Sequence, residues 1–399
     1  MELTPIKNLA DVIKTGKTPP TKEEKYFNGG IKWYTPGDLD KAKCLTDSVR
    51  TLSKAAITDK MAAIFPEGTL LVACIGDIGK LGITTEECSS NQQITGITPK
   101  SNVSVSYLYY WFRYSKKSLQ HVANNAVVPI LNNRSLGQIK IPLPPLAEQQ
   151  KIAAILDAAD QLRQKDQQLI DHYSQLSQSL FLQMFGDPVT NPMGWDAIHM
   201  DEIADIASGV TKGRKLKDAE TFEIPYMRVA NVQAGHLKLD EVKTIPGTKA
   251  DLDKFALKKG DVLLTEGGDP DKLGRGTVWN EEIASCIHQN HIFRVRLTCS
   301  ESTPVYLSWL CGSEYGKRYF LKSGKQTTGI ASINKTQLKR FPVLRPPIEL
   351  QNQFAQHIKN IEQQKQQAQA SLEKSQALFN SLLQRAFKGE LTSRESRAA

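Results

Sequence analysis

Leu143-Pro144-Pro145-Leu146-Ala147-Glu148-Gln149-Gln150-Lys151-Ile152-Ala153 opens one long stretch of unbroken character, and Arg345-Pro346-Pro347-Ile348-Glu349-Leu350-Gln351 opens a second. A proline pair breaks the preceding structure and presets φ for a helix start. From there to about Phe185, and in the second stretch to about Lys388, there is no proline or glycine, and Gln, Ala, Leu, Lys and Glu dominate. Such composition predicts two helices of about 40 residues, each ~60 Å long.

The two openings belong to a duplication. One fixed offset carries Leu131-Asn132 onto Ile333-Asn334, Leu136 onto Leu338, Pro144-Pro145 onto Pro346-Pro347, Gln149 onto Gln351, Leu176 onto Leu378, and Phe185 onto Phe387, without a gap. Internal repetition of this kind organises the whole chain. Upstream the copies match more loosely. Leu9-Ala10-Asp11-Val12 resembles Ile203-Ala204-Asp205-Ile206, and Ile31-Lys32-Trp33-Tyr34 resembles Ile224-Pro225-Tyr226-Met227. Gly68-Thr69-Leu70-Leu71 aligns with Gly260-Asp261-Val262-Leu263, and Lys80-Leu81-Gly82 with Lys272-Leu273-Gly274. Each half is thus a variable segment followed by a better-matched one, a pattern suited to two different recognition tasks on one scaffold.

The variable segments, 1–143 and 188–345, read as α+β. Short apolar runs such as Leu70–Ile75, Ile94–Thr98 and Ile292–Leu297 are bounded by Gly, Asn and Asp turns, with helical patches at Val105–Tyr114 and Val305–Leu310. The matched segments, 144–187 and 346–390, read as spacer helices, followed by a flexible tail at 391–399. In the first helix Ile155, Leu162, Leu169 and Leu176 recur every seven residues, with Ile152, Ala159, Tyr173 and Leu180 as companions and Asp166 as the interruption. In the second, which is less regular, Phe354, Ile358, Ile361, Leu372, Leu378, Phe379 and Leu382 lie on one side. Neither helix could bury its stripe alone. The expected fold is two globular α/β domains at opposite ends of an antiparallel coiled coil, with a pseudo-two-fold repeat.

Across 399 residues the formal net charge is +9, which points to an anionic partner such as nucleic acid. Cys44, Cys74, Cys88, Cys286, Cys299 and Cys311 show no C-x-x-C pair, as expected of reduced thiols in a cytoplasmic protein. The opening Met1-Glu2-Leu3-Thr4-Pro5 has no secretory pattern, and no apolar run approaches the ~20 residues that would span a bilayer.

Catalytic motifs are missing where they would be needed. Asn191-Pro192-Met193 lacks the second proline and the aromatic of an adenine methyltransferase loop. Gly76-Asp77-Ile78-Gly79-Lys80 lacks the spacing of a phosphate loop and reads as a turn carrying a DNA-contacting lysine. No Glu-x-Lys or Asp-x-Lys follows Pro270-Asp271. His288-Gln289-Asn290-His291, near Cys286, has no second ligand cluster and suits a polar strand edge better than a metal site.

The motif Leu143-Pro144-Pro145-Leu146-Ala147-Glu148-Gln149-Gln150-Lys151-Ile152-Ala153 resembles the one that opens the central conserved helix in specificity subunits of type I restriction-modification enzymes. Thr328-Gly329-Ile330-Ala331-Ser332-Ile333-Asn334 before Pro346-Pro347 resembles the end of their second target-recognition domain. Gly68-Thr69-Leu70-Leu71 and Gly260-Asp261-Val262-Leu263-Leu264 resemble the strand inside each. Val128-Pro129-Ile130-Leu131-Asn132 departs from its second-copy counterpart. The resemblance implies a non-catalytic subunit that binds a bipartite stretch of double-stranded DNA. It also implies two docked methyltransferase subunits and motor-nuclease subunits, which would hold the S-adenosylmethionine, ATP and magnesium. A modification-only complex is the alternative within this class, and a coiled-coil scaffold protein the alternative outside it.

Phosphates are met by Lys and Arg, base edges by Arg, Asn, Gln and Asp. The candidates in the first domain are Lys17, Thr18, Asp77, Lys80, Gln92, Gln93, Asn132, Asn133 and Arg134. In the second they are Lys212, Arg214, Arg228, Asp269, Lys272, Arg275, Gln289, Asn290 and Asn334. Lys80 and Lys272 stand out as a matched pair of phosphate contacts.

Overall fold

The structure, a computed structural model, describes residues 3–123, 130–214, 220–268, 273–327 and 330–392. The chain forms two compact units, Met1–Gln168 with Ala368–Ala399, and Leu169–Gln367. The expected boundaries at 144 and 346 fall just ahead of the long helices, Leu146–Phe185 and Ile348–Lys388. The compact units do not follow those boundaries: each takes part of both helices.

In the first unit a sheet runs in the order Ala10–Thr15, Ile94–Pro99, Leu70–Ala73, Leu81–Thr84, Cys44–Leu45. The second unit repeats it as Ala204–Ser208, Ile292–Leu297, Val262–Thr265, Gly276–Val278. Leu70–Ala73 and Val262–Thr265 are buried throughout. A strand flanked on both edges and covered on both faces calls for such a continuous apolar run. A smaller sheet in each unit is built on a parallel pair, Phe27–Tyr34 with Cys88–Ser90 and Phe222–Met227 with Ile287–His288.

Ladder register sets which residues correspond. Val72 faces Leu81, and its counterpart Leu264 faces Gly276. Lys80 therefore corresponds to Arg275: the Ala73 amide donates to the Lys80 carbonyl and the Thr265 amide to the Arg275 carbonyl, both at 2.9 Å. The expected match of Lys80 to Lys272 rested on a short Lys-Leu-Gly likeness, which the hydrogen-bond ladder overrules; Lys272 itself lies outside the described residues. Position by position, the copies exchange chemistry on a common frame. Thr69 and Thr98 share a hydroxyl contact of 3.0 Å, where Asp261 and Arg296 make a two-pronged ion pair at 2.7 Å.

Each proline pair opens its helix as expected. The Pro145 carbonyl accepts from the Glu148 and Gln149 amides, and the Pro347 carbonyl from those of Leu350 and Gln351. Both helices end at glycines with positive φ, Gly186 at 75° and Gly389 at 82°. Gln149 and Gln351 have a use that motif reading does not show. The Gln149 carboxamide accepts from the Ser104 amide (2.9 Å) and donates to the Asn102 (3.3 Å) and Pro144 (2.8 Å) carbonyls. Gln351 accepts from the Thr303 amide (2.9 Å) and donates to the Glu301 (3.1 Å) and Pro346 (2.9 Å) carbonyls. In each unit one buried side chain ties the segment ahead of a domain helix to the turn that starts a long helix.

Within the first unit the long helices run antiparallel, since Ser371 bonds Asp166 (3.0 Å) while Thr392 bonds Glu148 near the other end. Leu391 packs on the first core and Thr392 is held by Glu148, at the start of the stretch expected to be a flexible tail; 393–399 lie outside the described residues. Ile152, Leu156 and Ala159 share a core with Tyr107, Phe379 and Ala386. In the second unit Phe181 and Phe185 pack on Phe354, with Ile358 in the same core.

The expected leucine seam is corrected. Leu162, Leu169 and Leu176 are 46%, 42% and 50% exposed. Ile152 and Ala159 are buried and Tyr173 and Leu180 half-buried, but the companion series is Leu156, Arg163, Ile170 and Ser177, one position later. A helix repeat leaves both choices open, because positions three and four residues along flank the same line. The globular domain decides: Leu156 enters its core, and the next residue, Asp157, takes the Tyr110 hydroxyl at 2.5 Å and the Lys43 ammonium. On the second helix Phe354, Ile358 and Phe379 are buried, and Ile361, Leu372 and Leu382 half-buried, whereas Leu378, expected beside them, is exposed.

Candidate nucleic-acid interface

In the first unit four separated segments converge. Gly16 and Lys17 donate backbone hydrogen bonds to Ile94 (2.8 Å) and Ser90 (2.9 Å), Cys74 to Gln93 (2.8 Å), and Leu131 to Cys74 (2.8 Å). Thr15 and Thr95 both donate to the Asn133 carboxamide oxygen, at 2.9 and 3.0 Å, and Thr18 donates to Gln92. This brings together the segments that carry Lys17, Thr18, Gln92, Gln93, Asn132, Asn133 and Arg134; the Lys17 ammonium itself donates to the Lys60 carbonyl at 2.7 Å. A groove of about 520 Å³ lined by Lys14, Gly16, Lys17 and Lys60 lies here. So does a cleft of about 650 Å³, lined by Thr18, Trp33, Arg50, Asp77, Asn91 and Gln93. The lysines suit a phosphate backbone, and the cleft offers hydrogen-bonding groups for base edges. Lys80 is paired with Asp77 at 2.8 Å, which holds the Asp77 carboxyl below its usual range.

The second unit reproduces the backbone. Val210 donates to His288 (2.8 Å), Asn290 to Val210 (2.9 Å), and Ile333 to Glu266 (2.9 Å). Its arginine candidates are engaged internally. Arg214 forks onto Asp251, whose carboxyl it holds down at about 2, with the Thr248 bonds adding to the lowering. Arg228 meets Glu241 (3.3 Å), and Arg275 meets the Gln233 side chain (3.0 Å). Asn132 and Asn334 cap short helices by accepting from Ser135 and Gln337, each at 2.9 Å. Capping explains why asparagine stands at both positions, and turns their side chains to structural use. Lys212 is exposed, Gln289 and Asn290 are half-exposed, and Asp269 lies outside the described residues.

Sequence reading missed Gly16 and Gly209. A Cβ on Gly16 would stand 2.2 Å from the Asn91 carbonyl oxygen, and one on Gly209 only 1.8 Å from that of His288. The signal was available as Thr15-Gly16 against Ser208-Gly209, at the ends of equivalent strands. The His288 ring is buried with Nδ1 2.9 Å from the Ile292 carbonyl, and the described residues include no His, Cys, Asp and Glu group suited to a metal ion.

Burial holds His288 down at about 4; Arg294 adds to the lowering and the Ile292 carbonyl opposes it. The folded protein therefore resists protonation that the unfolded chain accepts below about 6.5. Stability should be intact above pH 6.5 and fall by about 2 kcal/mol between pH 7 and 5 from this residue. Urea titrations across that range check it; replacing His288 with Ser, which stands at the matching position 90, should flatten the slope.

Among the described residues no helix is long and apolar enough to cross a membrane. The family model for the type I restriction modification DNA specificity domain matches twice, over residues 1–171 and 192–374. Over 251 residues the chain is 29% identical to the MjaIX specificity subunit of Methanocaldococcus jannaschii, a match spanning 58% of each protein. It is 22% identical over 352 residues to the EcoKI specificity subunit of Escherichia coli K12, covering 82% of this chain and 76% of that one. In fold it matches the S subunit of a type I restriction-modification system from M. genitalium, with a TM-score of 0.58 at 16% identity over 97% of this chain and 96% of that one. With both halves matched by that family model, each around its own copy of the converging surface, the chain belongs to the specificity subunits of type I restriction-modification systems, the DNA-recognition and non-catalytic component, with two recognition domains.

Proposed function

We propose that this subunit binds an asymmetric, split target in double-stranded DNA, one half-site per recognition domain, with the long helices setting the gap. One observation carries the reading: the same backbone surface occurs in both units with different accessible side chains, as Gln92 against Asn290 and Gln93 against His291. A common frame with divergent side chains suits the reading of two unlike half-sites. Adenine N6 methylation from S-adenosylmethionine, and cleavage driven by ATP with magnesium, would reside in two methyltransferase and in motor-nuclease subunits, acting in the cytoplasm. Leu169 and Leu176, a heptad apart and freed from the seam, give the first helix an apolar outer face on which a methyltransferase can dock.

The test is a map of N6-methyladenine in the native host with the gene intact and deleted. Deletion should abolish methylation at one split motif and leave other motifs untouched. An unchanged map, with the gene and its methyltransferase partner both expressed, would refute the proposal.

A further inference from the structure

The turns after the parallel strands have the same backbone and unlike side chains. In the first, the Asn91 amide donates to the Tyr34 carbonyl (3.0 Å), Ile94 closes onto Asn91 (3.2 Å), and the Gln93 carbonyl receives Cys74 (2.8 Å). In the second, Gln289 donates to Met227 (3.0 Å), Ile292 closes onto Gln289 (2.9 Å), and the His291 carbonyl receives Glu266 (3.0 Å). Three tethers on a four-residue turn fix where its side chains start. What they present differs at every position: Asn91, Gln92 and Gln93 against Gln289, Asn290 and His291.

The partners differ with them. Gln92 is exposed, and its carboxamide oxygen accepts from Thr18, so its amide hydrogens are the outward groups. Gln93 folds back, accepting from Asn91 at 2.9 Å. In the second unit Glu266 lies 2.6 Å from Nδ1 of the exposed His291. A carboxylate there places the ring proton on Nδ1 and leaves Nε2 as an acceptor, with the Asn290 amide nitrogen 3.5 Å away. The first-unit residue in the place of Glu266 is Cys74, opposite Gln93 rather than a histidine. Carboxylate and imidazole thus occur together in one copy and are both absent from the other, as expected if the one orients the other.

We propose that these two turns select bases. Gln92 offers a donor to an acceptor edge, guanine O6/N7 or thymine O4. His291 offers an acceptor to an exocyclic amine, adenine N6 or cytosine N4. The assignment rests on the DNA-specificity reading above. The test uses the full chain in complex with its methyltransferase, mapping the methylated motif for wild type, Gln92→Ala and His291→Ala. Both side chains are exposed, so neither change disturbs a core. Each variant should lose about tenfold of its discrimination at a position within one half-site, a different half for each, with the other half and the gap retained. Unaltered selectivity in either variant, or equal loss over both half-sites, overturns the assignment of the turns and leaves the parent reading standing. A wild-type complex that yields no split motif overturns the parent reading, and this one with it.

Discussion

Gly209→Ala is expected to cost the second unit about 3 kcal/mol or more, the upper end of what overpacking costs, because the atoms in the way are backbone. The new Cβ would lie 1.8 Å from the His288 carbonyl oxygen and 2.5 Å from its carbon. Neither side can yield cheaply. His288 is paired with Met227 across the parallel strands, and its carbonyl already holds the Val210 amide at 2.8 Å. Amide hydrogen exchange should show protection falling in the second unit while Leu70–Ala73 and its neighbours stay protected. The methylated motif should lose its requirement for one half-site or vanish. A variant within 1 kcal/mol of wild type, with 1 kcal/mol about the cost of a mild substitution, would mean that the glycine is not holding strand and turn together.

Gln351→Ala should remove roughly 3–5 kcal/mol, because it strands three backbone groups at once. The Thr303 amide and the Glu301 and Pro346 carbonyls lose their shared partner, and the buried volume of the side chain is left empty. Gln351→Glu is the informative control. It can still accept from Thr303 but sets a carboxylate against two carbonyls, so it should be no better than alanine. Urea unfolding of both variants measures the loss, and Gln149 should behave alike in the first unit. A glutamate variant as stable as wild type would show that the two donated bonds contribute nothing. The same clamp fixes where each long helix leaves its domain.

The helix starts, the duplication and the strands Leu70–Ala73 and Ile292–Leu297 were legible because each is written in local terms: proline pairs, fixed offset, apolar runs between turns. The candidate surface was legible as a list of polar loop residues but not by role. Asn132 and Asn334 have the chemistry of base readers, yet cap helices; Arg214 has the charge of a phosphate contact, yet serves Asp251. Side-chain type states what a residue can bond, and only its neighbours state what it does bond.

By itself the sequence determined the two-copy architecture, the extent of both long helices and the absence of familiar catalytic motifs, because period, composition and motif spacing act along the chain. Tertiary structure alone decided that Lys80 answers to Arg275, that Leu156 rather than Ile155 enters the core, and that Gln149 and Gln351 are clamps. Each depends on contacts between residues remote in sequence. Ladder register is set by cross-strand hydrogen bonds, helix rotation by the domain packed against it, and a glutamine's worth by the buried backbone groups it satisfies.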